Sequence, residues 1–382
     1  MRIAYICVDP GIPIFGTKGA SVHVQEVIRE LRKAGHDLHV YATRVGTDVP
    51  ADLQDIPVTR FKLGTKEPEA CENAQIQASA DIVAALTDDG AEFVYERYSL
   101  FSTALADSGL PGILEVNAPL IDEQRTHRVL INDLAAQRAL QVQVRAARAA
   151  ICVSEAVANW VRASVPNTDN VHAIANGVNT DRIRPQPETP GVPVVTFVGT
   201  LKPWHGTEYL IRAAAHAQQQ WRLRIIGDGP EREHLEFLAR GLGLEVDFCG
   251  AVPPEDMPAQ LAGSAVGVAP YPAPITNDAH YFSPLKVYEY LAAGLPVVAT
   301  RVGQVPGALG GVVKQEDSDH LEVREAGVIV EGSSPEALAQ AIDYLVTDAH
   351  LRATTGARAR ELAVSQHSWA GVVSQMWELA HG

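Results

Sequence analysis

The sequence predicts two doubly wound α/β domains, and three observations lead to this fold class. Short β-branched runs alternate with longer amphipathic segments, which is typical of parallel sheets covered by helices. The runs are continuously apolar, as strands buried on both faces are. The alternation stops at a proline-rich stretch near residue 185 and then starts again. A length of 382 residues leaves room for two domains of ordinary size.

The first domain is predicted over residues 1–183. Each apolar run ends at a turn signal, and the first amphipathic segment is stopped by Gly35. The expected elements are strands at 3–8, 39–43, 93–95, 112–116 and 150–153, and a helix at 22–34.

The second domain is predicted over residues 194–366, after a linker at 184–193 that contains Pro185, Pro187, Pro190 and Pro193. A separate helix is expected from residue 367 to the end. The other expected elements are strands at 194–198, 223–226, 246–249, 265–269 and 296–300, and helices at 207–219 and 231–242.

Composition and charge exclude several classes of protein. Hydrophobic residues make up 46% and charged residues 20% of the chain, which excludes a disordered or fibrous protein. The net charge of −15 disfavours general nucleic-acid binding, although one basic pocket remains compatible with it. Arginines along one predicted helical stretch could mark a membrane-surface helix, but the acidic charge favours a solvated face. These arginines are Arg125, Arg128, Arg138, Arg145 and Arg148.

The four cysteines include no Cys-x-x-Cys pair, so neither a metal site nor a disulfide framework is expected. The apolar run at 3–8 is too short for a signal peptide, and no run reaches the length of a membrane span. A cytoplasmic, soluble protein without a transmembrane segment is therefore the expectation.

The densest group of functional residue types lies in a short predicted helix. Ser283 is a suitable N-cap, Pro284 a suitable first helical residue, and Gly294 a suitable C-terminal stop. The N-terminus of such a helix attracts anions. Lys286 and Glu289 share one face, which suits a diphosphate beside ribose hydroxyls. A well-capped surface helix with an ion pair explains these residues equally well.

Two glycine-bearing turns follow predicted strands of the second domain. Gly199 begins a loop that also holds Lys202 and His205, and either side chain could meet phosphate oxygens. Gly227 opens a Gly-Asp-Gly-Pro turn that lacks the complete dinucleotide-binding fingerprint. Turns of this kind also connect strands and helices that bind nothing.

In the first domain, two positions follow strands where ligand-binding residues are commonly found. Gly19 precedes the first helix and could cradle a phosphate or a sugar, although a plain connecting loop explains it as well. Asn117 is a polar residue just beyond the strand at 112–116.

Taken together, these motifs resemble the retaining GT-B glycosyltransferases of family four, in the order that this family has them. The resemblance implies two Rossmann-like domains with an interdomain cleft, a nucleotide-sugar bound mainly by the second domain, and a terminal helix, 367–382, that packs back on the first. The motifs are the first glycine-bearing loop, Val153-Ser154-Glu155, Asn176-Gly177-Val178, Phe197-Val198-Gly199, Gly227-Asp228-Gly229-Pro230, and the segment from Tyr288-Glu289-Tyr290 to Thr300.

The resemblance also implies site roles, with departures from the family pattern. Glu289 matches the second glutamate of the family's Glu-x7-Glu motif, which binds the donor ribose, whereas Tyr281 occupies the first position. The family's diphosphate-binding Arg and Lys are replaced here by Thr200 and His205. Lys202 is therefore expected to bind the diphosphate, with Lys286 close behind.

The same resemblance implies that the backbone from Phe282 to Leu285 meets the diphosphate. It further implies that Asn117 contacts the transferred sugar or the acceptor. His205 would assist at the diphosphate if it were protonated.

The implied reaction transfers a hexosyl or N-acetylhexosaminyl group from a nucleoside-diphosphate sugar, with UDP favoured, to an acceptor hydroxyl. The anomeric configuration would be retained by attack on the same face, and no metal or cofactor is expected. One alternative is a GT-B nucleotide-sugar 2-epimerase that uses Glu115, Glu123 or His127 as acid and base. The other is a non-catalytic nucleotide-sugar-binding protein.

Overall fold

The computed structural model describes residues 1–273, 281–316 and 321–382, and of these the side chains at 315 and 316 are left aside. The described chain divides into two compact units. The first contains residues 1–176 and 369–382, and the second contains residues 177–368.

The first unit is built on a parallel sheet. Its strands are β1 (Arg2–Cys7), β2 (Asp37–Ala42), β3 (Val58–Arg60), β4 (Phe93–Arg97), β5 (Gly112–Val116), β6 (Ala149–Cys152) and β7 (Val171–Ala173). They run in the order β3-β2-β1-β4-β5-β6-β7, and each pair is parallel. The order reverses between β1 and β4, which is the switch point where doubly wound sheets bind ligands.

The helices of this unit fill the crossovers between parallel strands. They are α1 (Gly19–Lys33), α2 (Pro68–Asp89), α3 (Ala104–Ser108), α4 (Leu120–His127), α5 (Asp133–Ala146) and α6 (Glu155–Ser164). β1, β4 and β5 are almost wholly buried, as their continuous apolar runs predict.

The second unit repeats the same plan and adds an antiparallel hairpin. Its strands are β8 (Val194–Val198), β9 (Arg222–Ile226), β10 (Val246–Gly250), β11 (Val266–Ala269), β12 (Val297–Thr300), β13 (Val312–Glu316), β14 (Leu321–Arg324) and β15 (Gly327–Val330). The order is β10-β9-β8-β11-β12-β15-β14-β13, and the switch point lies between β8 and β11. β14 is antiparallel to both β13 and β15, and β13 is the last strand in this order.

The helices of the second unit cover its sheet, and one further helix returns to the first unit. They are α7 (Thr207–His216), α8 (Arg232–Gly241), α9 (Met257–Leu261), α10 (Leu285–Ala292), α11 (Val305–Ala308), α12 (Pro335–Val346), α13 (Ala349–Gln366) and α14 (Trp369–His381). α14 belongs to the first unit, where it lies against α1 and against β5 and β6.

The boundary between the units differs from the predicted one at 183/184. Residues 177–183 belong to the second unit because Arg360 donates hydrogen bonds to the backbone oxygens of Thr180 and Ile183 at 2.9 Å. The predicted linker, 184–193, also lies with the second unit. Within it Glu188 pairs with Arg352 of α13 at 2.9 Å. Proline content predicted a linker here, and the long-range contact of Glu188 joins this segment to the second unit.

The arginine-rich stretch forms two helices, α4 and α5, rather than one. Arg125 bonds to Asp122 at 3.1 Å and to Asp133 at 2.6 Å, so nearby carboxylates balance its charge. This arrangement agrees with the solvated face that the acidic composition favours.

Candidate active site

The turns that follow β8 and β9 pack closely against each other, and this contact requires glycine. Gly199 has a φ of +150° and Gly227 a φ of +142°, in the region that favours glycine. A Cβ on residue 227 would lie 1.9 Å from the carbonyl oxygen of Gly199, and one on residue 229 would lie 2.4 Å from that of Leu201. The two turns therefore pack backbone against backbone, and both predicted glycines, Gly199 and Gly227, meet here.

Tyr290 fixes helix α10 beside these turns. Its hydroxyl accepts a hydrogen bond from the backbone N–H of Val198 at 2.7 Å and donates one to the carbonyl of Val268 at 3.2 Å. The ring occupies the space that a side chain at Gly267 would need, since a Cβ there would lie 2.4 Å from it. The first turn of α10 is thus held at the switch point between β8 and β11.

Lys286 lies in the first turn of α10 and is buried. Its Nζ lies 4.2 Å from the ring centroid of Phe197 and 5.0 Å from that of Tyr271. It has no hydrogen-bond partner among the described residues, and it would lie 2.9 Å from a Cβ on Gly199. Burial lowers the pKa of Lys286 to about 7, while the nearby Glu289 acts in the opposite direction. An anion at the Gly199 turn would supply the missing partner.

His205 also lies at the Gly199 turn, where its Nδ1 would be 3.3 Å from a Cβ on Gly199, and it is neutral. Burial, together with the charges of Lys286 and Lys202, lowers the pKa of His205 to about 3. Its Nδ1 lies 2.6 Å from the carbonyl oxygen of Thr200, and because a carbonyl accepts only, Nδ1 carries the proton. The protonated His205 considered from the sequence is therefore not the form in this ligand-free structure.

Lys202 remains at the rim of the same turn, half-buried, with its Nζ 4.5 Å from the ring centroid of the exposed Trp204. Lys202, His205 and Lys286 are thus brought together around Gly199. Lys286 is more deeply buried than Lys202, whereas the sequence predicted Lys202 as the main diphosphate-binding residue.

The start of α10 differs from the predicted cap. The helix begins at Leu285, with Pro284 at the N-cap position and no side-chain cap. Ser283 precedes the N-cap residue, and its Oγ lies 3.3 Å from the Tyr288 hydroxyl. Glu289 follows Lys286 by about one turn and is half-buried. Gly294 has the predicted left-handed conformation, with a φ of +69°.

The candidate residues of the first unit form a separate group. Gly19 is exposed at the first position of α1. Asn117 follows β5 and is half-buried, and its Nδ2 donates a hydrogen bond to Glu115. The carboxylate of Glu115 also accepts a hydrogen bond from Arg97 at 2.7 Å.

Glu115 does not suit the acid–base role that a 2-epimerase would need. Burial opposes its ionisation, yet His23, Arg97 and Tyr95 outweigh burial and hold the pKa of Glu115 far below its usual range. A carboxylate so firmly ionised is a poor proton donor near neutral pH. Of the other two epimerase candidates, His127 is exposed at the last position of α4, whereas Glu123 is half-buried in the same helix, where burial raises the pKa of its carboxyl group.

Four residues that shape these sites were not identified from the sequence: Phe197, Tyr271, Tyr290 and, as the centre of a network, Glu115. Each acts through partners that are distant in the chain, as when Tyr290 bridges β8 and β11. For Tyr290 a signal existed in the Tyr-Glu-Tyr motif, which was used only for its glutamate. The sequence predicted Glu115 only as an acid–base candidate of the 2-epimerase alternative, not as the centre of a network.

The described residues contain neither a metal-binding cluster nor a membrane-spanning helix. No group of three or more His, Cys, Asp or Glu side chains there is arranged to hold a metal ion. Among the same residues, no helix combines the length and apolar character that crossing a bilayer requires.

In each of the two Rossmann-like units the first five strands have the order 3-2-1-4-5, and a pair of such units is the architecture of the GT-B class. Its structure matches the sucrose-phosphate synthase of Thermosynechococcus elongatus with a TM-score of 0.75 and 20% identity, over 100% of this chain and 98% of that one. It matches the Anabaena protein HepE in complex with UDP-glucose with a TM-score of 0.71 and 19% identity, over 99% and 98%. At these identities the likeness shows the fold.

Family models give the assignment. Residues 17–182 match the model "Glycosyltransferase Family 4", and residues 192–348 match "Glycosyl transferases group 1". The D-inositol 3-phosphate glycosyltransferase of Corynebacterium diphtheriae is 28% identical, over 98% of this chain and 93% of the relative. The chain belongs to the family-four glycosyltransferases, and it is an enzyme of this type.

Proposed function

We propose that this glycosyltransferase moves a sugar from a UDP-sugar to an acceptor hydroxyl with retention of the anomeric configuration. One observation carries the proposal: the buried Nζ of Lys286, without a hydrogen-bond partner among the described residues, beside the Gly199 turn. A buried ammonium group is costly unless an anion or another acceptor meets it. The diphosphate of a nucleotide-sugar fits this requirement.

The residues around the turn then have distinct roles. Lys286 and Lys202 stabilise the negative charge that develops on the diphosphate as the glycosidic bond breaks, and the N-terminus of α10 at Ser283 to Leu285 assists them. Removing one such donor from a transition state costs roughly 2.7–4 kcal/mol. Glu289 accepts hydrogen bonds from the ribose hydroxyls. These cations and the helix dipole neutralise the leaving group without a metal ion.

UDP is the donor nucleotide that we favour. The neighbour HepE is solved with UDP-glucose, and this supports a UDP-sugar for the shared fold. The retaining outcome is proposed on the family resemblance. In the corresponding mechanism the acceptor attacks from the face that the diphosphate leaves, and the leaving phosphate takes the proton of the acceptor hydroxyl. Asn117 contacts the transferred sugar or the acceptor.

A thermal-shift panel with UDP, GDP, dTDP, ADP and CDP tests the donor site. Ligand at about 100 times its dissociation constant should stabilise the protein by about 2.7 kcal/mol. We expect a clear shift with UDP, unaffected by EDTA. The shift should be lost in Glu289→Ala and kept in Glu233→Ala, a control at an exposed glutamate of α8.

A shift with another nucleotide would move the proposal to that donor class. No shift with any of the five would contradict the donor site. If UDP binds, turnover of UDP-glucose and the anomeric coupling constant of the product decide between retention and inversion. Turnover that needs no acceptor and returns an epimerised nucleotide-sugar would establish the 2-epimerase instead.

A further inference from the structure

Glu115 stands at the centre of a buried polar network in the first unit. It lies near the carboxyl end of β5, and its side chain is completely buried. Its Oε1 accepts hydrogen bonds from Arg97, at 2.7 Å, and from the Nδ2 of Asn117. Its Oε2 accepts one from the Tyr95 hydroxyl and lies 3.0 Å from the Nε2 of His23.

The network draws its members from four elements. Arg97 and Tyr95 come from β4, and His23 comes from α1. α14 closes the network, because Trp369 lies edge-on to His23, at 4.7 Å between ring centroids. A single carboxylate therefore fixes side chains that are far apart in the chain, and Asn117 is the member that lies beyond the strand end.

The chemistry of the carboxylate determines which way Asn117 points. An ionised carboxylate can accept hydrogen bonds but not donate them. The carboxamide of Asn117 must therefore turn its Nδ2 toward Glu115, and its Oδ1 is then the atom directed away from the carboxylate. Without the carboxylate of Glu115, this contact would not determine whether the Oδ1 or the Nδ2 of Asn117 faces position 115.

We propose that Glu115 is a positioning residue that orients Asn117 so that the Oδ1 accepts a hydrogen bond from a sugar or acceptor hydroxyl. This inference rests on the proposed glycosyl transfer. A buried ionic network is seldom needed for stability, because apolar residues of similar volume often serve as well. The need to orient the amide of Asn117 explains why a buried ionic network is present here, whereas packing alone does not.

Exchanging the two functional groups tests the orientation. Asn117→Asp alone sets a second carboxylate against Glu115. Glu115→Gln alone leaves Arg97 without its counter-ion and lets the amide at position 115 present either its oxygen or its NH₂ group to Asn117, so that the orientation of Asn117 is no longer fixed. The double variant Glu115→Gln/Asn117→Asp restores one amide and one carboxylate with their positions reversed. Arg97 and Asn117 donate to the same oxygen of Glu115, so the exchange moves the negative charge to the residue that shares this oxygen with Arg97.

Release of UDP from UDP-glucose is the activity measured, with and without hydroxyl acceptors. Each single substitution should lower kcat by about tenfold or more, with little change in KM for UDP-glucose, because the donor nucleotide is held elsewhere. The double variant should recover most of this loss. The matched control is Glu96→Gln/Asn117→Asp, since Glu96 is an equally buried carboxylate that bonds to the Leu105 backbone rather than to Asn117. This control variant should recover none of the kcat that Asn117→Asp loses.

Failure of the double variant to exceed Asn117→Asp, with both proteins folded by circular dichroism, would overturn the inference. Wild-type protein that turns over no nucleotide-sugar would instead contradict the proposed function. A second measurement is independent of turnover. The side-chain NH₂ signal of Asn117 in ¹⁵N-labelled protein should move in Glu115→Gln and stay in Glu96→Gln, and an unmoved signal in both would equally overturn the positioning role.

Discussion

At the scale of single residues, Lys286 shows how a binding site can be prepared before its ligand arrives. Its ammonium group lies among aromatic rings, and the faces of Phe197 and Tyr271 offset part of the cost of removing it from water. Because the offset is incomplete, burial lowers the pKa of Lys286 to about 7. The site therefore takes up a proton when an anion binds.

This proton uptake predicts a pH dependence with a definite sign. In the free protein Lys286 loses its proton as the pH rises through about 7, whereas a bound diphosphate raises its pKa and keeps it charged. The affinity for UDP should therefore fall as the pH rises above 7, where the phosphate itself is already ionised. Isothermal titration in buffers of different ionisation enthalpy measures both the affinity and the proton uptake.

Lys286→Arg is the matched control, since a guanidinium stays charged at every pH used. Its affinity for UDP should be nearly independent of pH over the same range. An equally steep pH dependence in Lys286→Arg would assign the effect to another group.

At the scale of elements, the turns after β8 and β9 can pack closely against each other only because they contain glycine. Gly227→Ala would bring a methyl group to 1.9 Å from the Gly199 carbonyl oxygen and would also strain a backbone with a φ of +142°. We expect a loss of roughly 1–3 kcal/mol of stability. The displaced Gly199 turn should also weaken UDP binding.

The control for this substitution is Gly241→Ala. Gly241 is the last residue of α8, and a Cβ there would meet no atom within 4 Å. Alanine at this position should be neutral or stabilising by up to about 1 kcal/mol. Urea unfolding and the UDP thermal shift compare the two variants, and equal effects would refute the steric explanation.

The sequence predicted those helices and strands whose formation depends on residues close together in the chain. β5 and β8 lie where the apolar runs place them, because a strand buried on both faces is continuously apolar. α2 was not identified, since its composition is dominated by alanine and polar residues without a clear apolar stripe. The predicted Ser283 cap was wrong because the helix starts one residue later than predicted, at Leu285 instead of Pro284.

For the candidate site too, the sequence indicated the residues that form local patterns but not the contacts between distant residues. Glycines, lysines and a glutamate beyond strand ends indicated a diphosphate and a ribose. Burial of Lys286 between rings and the network around Glu115 depend on tertiary contacts, which a local pattern does not contain. His23 and Glu115 illustrate this, since 3.0 Å separates two atoms whose residues are far apart in the sequence.

At the scale of the whole molecule, the donor residues and the Glu115 network belong to different units. Lys286, Lys202 and Glu289 lie in the second unit, whereas Glu115 and Asn117 lie in the first. The first unit is completed by the end of the chain, through α14. Substitutions in α14 should therefore act on the stability of one unit and leave nucleotide binding by the other intact.

Trp369→Ala tests this independence. Trp369 is buried in the first unit against His23, and its removal should destabilise that unit by about 3–5 kcal/mol. In calorimetry one transition should move to lower temperature, while UDP should still raise the other. Trp204→Ala, at a tryptophan that is 55% exposed, should cost less than about 1 kcal/mol. Loss of the UDP effect in Trp369→Ala would contradict independent units.

The hairpin of β13 and β14 has a consequence for how the protein behaves at high concentration. Val312 and Val313 of β13 are 52% and 66% exposed, on the strand that ends the described sheet order. An apolar edge strand offers its backbone N–H and C=O groups to any other chain, which makes it a starting point for self-association. Lys314 follows the two valines, and a charge on an edge strand opposes such pairing. Replacing this lysine with an uncharged residue is therefore expected to favour self-association in concentrated samples.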